Sequence, residues 1–206
     1  MLPDGGAPAT REDVERLELT RLTVAESLRM YPQPPLLIRR AVDEDRLPSV
    51  ALPDSEDLDE DHRGKSVDVT MVRATDVFLA LYSIHRSPRY WPNPDVFDPH
   101  RWKTAYKNPD EPDWSGYDPA KWTGGSLYPT EASADFAFLP FGGGARKCVG
   151  DQFAMMEATV ALAGFLRNYD FDFAGKTDAP DKVGTNTGAT IHTRNGLWMT
   201  VTERSK

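Results

Sequence analysis

FLPFGGGARKCVGDQFAMM, running from Phe138 to Met156, holds the single cysteine of the chain, Cys148. Three consecutive glycines, Gly142 to Gly144, stand ahead of it, and Gly150 follows it before a run with helical patterning. Glycine admits backbone conformations that other residues resist, so GGG followed by Arg146, Lys147 and Cys148 describes a tight loop pressed against something. A cysteine just before a helix N-terminus lies where the helix dipole favours a thiolate. A thiolate is either a nucleophile or a metal ligand.

Working outward, the helix after the loop spans Asp151 to about Tyr169, with Phe153, Met156, Val160, Leu162, Phe165 and Leu166 on a broad apolar face. Beyond it come a short strand (Phe171 to Phe173), a Gly/Thr-rich segment (Val183 to Thr190) and a strand pair around IHTRNGLWMTV, where Asn195-Gly196 is a two-residue hairpin signal. Upstream, Thr10 and Asp13 give a capping-box-like start to a helix reaching Tyr31, where Pro32, Pro34 and Pro35 stop it. Glu26 and Arg29 share one face of that helix; read alone, they are a surface ion pair worth about 0.2–0.5 kcal/mol. LLIRRAV (Leu36 to Val42) reads as a strand whose arginines, Arg39 and Arg40, need an anionic partner unless they are solvated at an edge. Asp54 to Asp61, with Asp57, Asp59 and Glu60, reads as a solvated acidic loop. Val67 to Met71 alternates like a strand, and Asp76 to Ile84 reads as a buried strand or short helix. The aromatic-rich residues 103–133 read as a packed surface excursion. Residues 1–10 read as a loose lead-in, disordered unless tied down.

Composition removes several classes. With 206 residues there is room for one modest domain, and 10% aromatics allow a core despite only 39% hydrophobic residues. A net charge of -8 argues against nucleic acid as a partner. One cysteine rules out an internal disulfide. No run approaches the roughly 20 apolar residues of a transmembrane helix. The polar start MLPDGGAPATREDVE is no signal peptide, so the protein is expected to be soluble or to have a targeting segment upstream.

Cys148 then has four readings. An acyl-transfer nucleophile needs a base, and His62, His85, His100 and His192 are available but none is placed by local sequence. A zinc site needs several spaced ligands. A buried structural thiol leaves GGGARKCVG unexplained. An axial thiolate to haem iron needs only one cysteine, and the glycine loop lets backbone lie close to a flat macrocycle, with Arg146 in reach of a propionate. Backbone N–H groups near Gly150 would then hydrogen-bond the sulfur.

FLPFGGGARKCVG resembles the haem-binding signature of the cytochrome P450 superfamily, with Phe141, Gly144, Arg146, Cys148 and Gly150 at its spaced positions. ESLRMYP resembles that family's Glu-x-x-Arg helix, and FDPHRW its aromatic-Pro-x-Arg motif, although His100 and Trp102 depart from the commoner Glu and Phe. The resemblance implies a buried network of Glu26, Arg29 and Arg101 that holds the cysteine loop. PQPPLLIRR puts Arg39 at a propionate-binding position. Several runs, among them HRSP (His85 to Pro88), Tyr128 to Gly144 and GATIHTRNGLW, resemble the plastid branch that hydroxylates carotenoid rings, while Asp54 to Lys65 departs as an acidic insertion.

The resemblance implies a mainly α fold with small β-sheets (α+β), of which residues 1–206 would be the C-terminal portion of one domain. The Glu-x-x-Arg helix would span 11–31, strands, acidic insertion and loops 36–135, the haem-binding loop and its helix 136–169, and a C-terminal β-hairpin region 171–203. It implies a monooxygenase with haem b, axially ligated by Cys148. Arg39, Arg146 and His85 would hold the propionates, Phe141 would pack near the sulfur, and Gly184 to Ile191 would touch substrate. Arg146 and Lys147 would face the electron donor, a ferredoxin or a flavoprotein reductase, though Lys147 reads equally as solvated. The substrate would be a hydrophobic small molecule, a carotenoid in the plastid branch; an endoplasmic reticulum enzyme is the alternative. The family's oxygen-activating helix lies upstream of the Glu-x-x-Arg helix and is not found before Glu26. The expectation is therefore a C-terminal piece or truncated gene model, inactive alone, with a non-catalytic haem-binding or interaction module as the second reading.

Overall fold

The computed structural model describes residues 2–3, 7–51, 66–122 and 125–204. The acidic stretch Asp54 to Lys65 and His62 lie outside them. The chain divides into two compact units, residues 37–79 and residues 1–36 with 80–206.

In the larger unit the N-terminal helix is two helices, α1 (Arg11–Arg16) and α2 (Glu18–Met30), where one helix over 11–31 was expected. Thr10 and Asp13 form the expected capping box on α1. The break falls at Leu17, whose ψ of 51° is not helical. Arg21 from α2 donates to the Glu15 carbonyl at 3.0 Å and so satisfies a group that a continuous helix would have bonded internally. α2 ends at Tyr31, ahead of the prolines. The lead-in is tied at Leu2 and Pro3, whose carbonyls accept from Arg167.

Trp114 and Tyr117, from the stretch 103–133 expected to be a packed surface excursion, belong to the buried core. Trp91, Trp102, Trp114, Tyr117 and Phe138 pack edge to face or tilted, with Trp102 and Phe138 centroids 4.6 Å apart. Leu22 and Ala25 of α2 and Met155 of α4 (Asp151–Asn168) close on this cluster. The Tyr117 hydroxyl donates to the Trp102 carbonyl at 2.6 Å, and burial holds that phenol well above the usual tyrosine range. Irregular backbone can be core here because side chains satisfy its carbonyls.

α4 buries Met155 and Thr159, with Met156 and Val160 partly covered. Phe153, Phe165 and Leu166, expected on its buried face, are 70%, 55% and 48% exposed. Its apolar residues run nearly all round the helix, and the described residues cover one side. After α4, β5 (Tyr169–Phe173) pairs antiparallel with β8 (Met199–Glu203), while β6 (Thr185–Thr187) pairs with β7 (Ile191–Thr193). The strands flanking Asn195-Gly196 therefore do not pair with each other, contrary to the hairpin signal. Asn195 instead donates its N–H to the Val183 carbonyl and its side-chain amide to the Lys182 carbonyl, which turns the chain back onto 182–183.

In the smaller unit β1 (Leu37–Arg40) pairs antiparallel with β4 (Asp76–Leu79), and β2 (Asp45–Ala51) with β3 (Ser66–Met71). The register of the second pair shifts between Leu47 and Val50, where Pro48 has no N–H to give the ladder. Asp76 to Ile84 proves to be both strand and helix: β4 is followed in the larger unit by α3 (Leu81–His85). Of that run Leu81 is buried, whereas Phe78 is 60% exposed. Among the described residues no helix is long and apolar enough to cross a membrane.

Candidate functional site

Glu26 and Arg29 are both fully buried on α2. Arg29 grips the carboxylate with two bonds, Nε to Oε2 at 3.0 Å and Nη2 to Oε1 at 2.9 Å. Arg101 Nε donates to the same Oε1 at 3.0 Å, as does the Asp98 N–H. The network expected from the motifs is thus assembled in full, and the surface-pair reading of Glu26 and Arg29 is excluded by their burial. The remaining guanidinium N–H groups go to main-chain carbonyls. Arg29 reaches those of His85, Pro94 and Val96, and Arg101 those of Pro92, Asn93 and Val96. One carboxylate and two guanidinium groups thereby fix the path of residues 92–98. Each nitrogen and oxygen of these three charged groups has at least one hydrogen-bond partner, which is the condition for keeping such charges inside.

From this brace the connection runs to the cysteine loop. The ring of His85, at the end of α3, is fully buried against Phe138, and its Nε2 accepts the Leu139 N–H at 2.8 Å. The Leu139 carbonyl takes the Gly142 N–H at 3.1 Å, and the Phe141 carbonyl takes the Cys148 N–H at 2.9 Å. Gly142 and Gly144 have φ of 77° and 66°, the left-handed region that favours glycine. Among the described residues nothing lies within 4 Å of a Cβ added at Gly144, and its left-handed backbone already favours glycine. Gly150, the residue before α4, has an ordinary φ of -92°, and an added Cβ would stand 3.8 Å from the Cys148 sulfur. Cys148 and Arg146 are exposed. Among the described residues no N–H donates to the Cys148 sulfur.

His85 departs from its expected role. A fully buried ring offers no surface to a propionate, and burial, with the Leu28 carbonyl pulling the other way and the Arg29 charge adding to the effect, holds its pKa down to about 3. It is a neutral acceptor. Phe141 is half-buried with its ring edge-on to Tyr128, centroids 5.0 Å apart, so its observed link to Cys148 is through the main chain. Lys147 is not solvated. Its Nζ lies 2.8 Å from Glu131 and 3.4 Å from Asp151, over the Tyr128 ring. The Tyr128 hydroxyl donates to Asp151 at 2.8 Å. Burial opposes ionisation of Asp151, yet the bonds from Tyr128 and Gln152 and the Lys147 charge leave its pKa below the ordinary value. Sequence reasoning missed this second clamp, although the i, i+4 spacing of Lys147 and Asp151 across the helix start was a usable sign.

Arg39 stands on β1, exposed, and donates to the Ile38 carbonyl, while Arg40 beside it grips Asp76 with bonds of 2.6 and 2.7 Å. Arg40 therefore has the anionic partner the strand demanded. Gly184 to Ile191 forms the β6–β7 hairpin, with residues 185–190 exposed. Its base borders a cleft of about 690 Å³ lined by Tyr31, Tyr82, Arg86, Val183 and His192 among others.

Among the described residues no group of three or more His, Cys, Asp and Glu is placed to hold a metal ion. The donor set is thus one exposed thiol with an exposed arginine two residues away. That fits a metal whose remaining ligands would come from a macrocycle. The neutral His85 lies in the brace, and among the described residues no base contacts Cys148, so the hydrolase reading finds no support in their geometry.

Comparison with known proteins follows the same line. The family model described as Cytochrome P450 matches residues 65–199. Cytochrome P450 97B2, chloroplastic, of Glycine max is 47% identical over 98% of this chain and 32% of its own length. Carotene epsilon-monooxygenase, chloroplastic, of Arabidopsis thaliana is 37% identical over 98% of this chain and 29% of its own. The crystal structure of the cytochrome P450DA heme domain superposes with a TM-score of 0.64 at 23% identity, covering 99% of this chain and 35% of that one. The chain spans about a third of the length of the relatives it matches.

Proposed function

The chain belongs to the cytochrome P450 family, and on that premise we propose that it forms the proximal, thiolate-bearing part of a haem-thiolate monooxygenase. The observation that carries this is the exposed Cys148 thiol at the end of a glycine loop, tied by hydrogen bonds to a network of the fully buried Glu26 and Arg29 with the nearly buried Arg101 side chain. Haem b, when bound, supplies the oxygen chemistry, and a thiolate ligand favours O–O cleavage.

The chain's own residues have narrower tasks. Cys148 binds the iron. The glycine loop keeps the surrounding backbone low and fixed. Arg146, exposed beside the loop, and Arg39, exposed on β1, are the proposed propionate ligands. The β6–β7 hairpin is the proposed substrate contact. The reaction class is insertion of one oxygen atom from O2 into a C–H bond, with two electrons from a ferredoxin or flavoprotein reductase. Carotenoid ring hydroxylation in the plastid is the specific reading, supported by relatives named as chloroplastic and as a carotene monooxygenase.

The test uses a full-length, haem-loaded parent enzyme, since the chain alone is expected to be inactive. Cys148→Ala should abolish the ferrous-CO band of thiolate ligation; an unchanged band overturns the ligand assignment. Supplied with reduced ferredoxin and carotenes, the loaded enzyme should yield ring-hydroxylated products. Turnover of other lipophiles with carotenes untouched would overturn the substrate and leave the ligand standing.

A further inference from the structure

We propose that His85 is a positioning residue for Cys148: its Nε2 lone pair fixes the start of the cysteine loop, through Leu139, to the buried brace. The proposal rests on the reading of Cys148 as the haem ligand, but its geometry is independent of haem. The His85 residue is held at two points. Its carbonyl accepts from Arg29 Nη1 at 2.9 Å, and its ring nitrogen accepts from Leu139 at 2.8 Å. Those two bonds join the network on α2 to the residue just before Pro140.

The loop then closes on itself. Leu139 takes the Gly142 N–H through its carbonyl, and its Cδ2 would lie 3.2 Å from a Cβ added at Gly143. A shift of Leu139 therefore moves the glycine turn. That turn in its own bonding sets Phe141, whose carbonyl receives the Cys148 N–H. Phe138, the residue before Leu139, lies against both His85 and Trp102, so the ring cannot slide away from its partner without opening the core.

The arrangement fixes the tautomer. An acceptor Nε2 requires the proton on Nδ1. Nδ1 is buried without a hydrogen bond of good geometry, although the Leu28 and Arg29 carbonyls favour a proton on the ring. The charged group acting on the ring is Arg29 of α2, itself paired with Glu26, and its guanidinium disfavours a second positive charge.

Nitrogen NMR on the labelled chain should show Nε2 unprotonated, and the Leu139 amide should be protected from exchange. His85→Phe keeps an aromatic ring but no acceptor, and should speed Leu139 exchange roughly tenfold or more. His85→Gln can place its carbonyl oxygen near the Nε2 position and should restore protection. In haem-loaded protein, His85→Phe should weaken or broaden the ferrous-CO thiolate band, and His85→Gln should recover it. A protonated Nε2 in the wild-type chain overturns the proposal without any variant. So does a band identical in wild type and His85→Phe. A wild-type protein lacking the thiolate band while Leu139 remains protected overturns the haem reading and the role toward Cys148 together, leaving only the His85–Leu139 bond.

Discussion

Replacing Glu26 by alanine strands two guanidinium groups in the protein interior. Four bonds converge on the carboxylate: two from Arg29, one from Arg101 and one from the Asp98 N–H, at 2.9–3.0 Å. The side chains of Glu26 and Arg29 have no solvent exposure, and that of Arg101 has 7%. Removing one partner of a buried ion pair costs about 3–5 kcal/mol, because the remaining charge keeps its desolvation penalty and loses its compensation. That is a large share of a typical stability of about 5–15 kcal/mol. At roughly 2–4 °C per kcal/mol for a chain of this size, the melting midpoint should fall by about 6–20 °C. Glu26→Gln should do less harm yet still cost more than about 2 kcal/mol, since its amide group would point N–H at the Arg29 N–H. The assay is thermal unfolding followed by far-ultraviolet circular dichroism and by fluorescence of the buried Trp91 and Trp102. A loss below about 1 kcal/mol for Glu26→Ala would mean that the pair is worth no more than an exposed helical one, and the bracing argument would fail.

Three further outcomes are expected. Gly144→Ala should destabilise by about 1–2 kcal/mol through its left-handed backbone, whereas Gly150→Ala, at an ordinary φ and with the sulfur 3.8 Å away, should cost under about 1 kcal/mol; urea midpoints compare them. Lys147→Met should lower stability by about 1 kcal/mol, whereas Arg146→Gln, at an exposed side chain, should change it by less than about 0.5 kcal/mol; urea midpoints separate the two. The pH response of His85 has a definite sign. Its folded pKa of about 3 lies below the unfolded 6.5, so the unfolded chain binds the extra proton and stability falls as pH drops from 6.5 toward 3. At pH 5 the loss from this group is about 2 kcal/mol, absent at pH 7.5 and absent throughout in His85→Gln, so the gap between the two proteins should close on acidification.

The parts legible in sequence are those where local spacing states the chemistry. Glu26 and Arg29 share a helix face, prolines stop that helix, and the triple glycine announces a left-handed loop. Joining Arg101 to them took the resemblance, because nothing local connects residues so far apart. The misreadings share one cause. Trp114 and Tyr117 sit in irregular backbone, so no periodicity marks them as core, and the side-chain bonds that allow a loop to be buried are long-range. Asn195-Gly196 carries the right turn residues, but pairing was decided by β5 and β6, which lie earlier in the chain. His85 looked like a surface ligand because histidine beside arginine and proline carries no sign of burial. Lys147 looked free because its second partner, Glu131, comes from a different segment.

The brace has an evolutionary consequence. Arg29 and Arg101 hold residues 92–96 by main-chain carbonyls, which every amino acid possesses. Side chains on that segment are accordingly free to drift so long as the backbone keeps its course. A saturation scan should find positions 26, 29 and 101 almost invariant next to a tolerant stretch, interrupted at Asn93, whose left-handed φ of 46° restricts the choice. Substitution tolerance and structural importance would thus be inversely placed along a few neighbouring residues, and a profile of variability read by itself would mistake the clamped segment for an idle one.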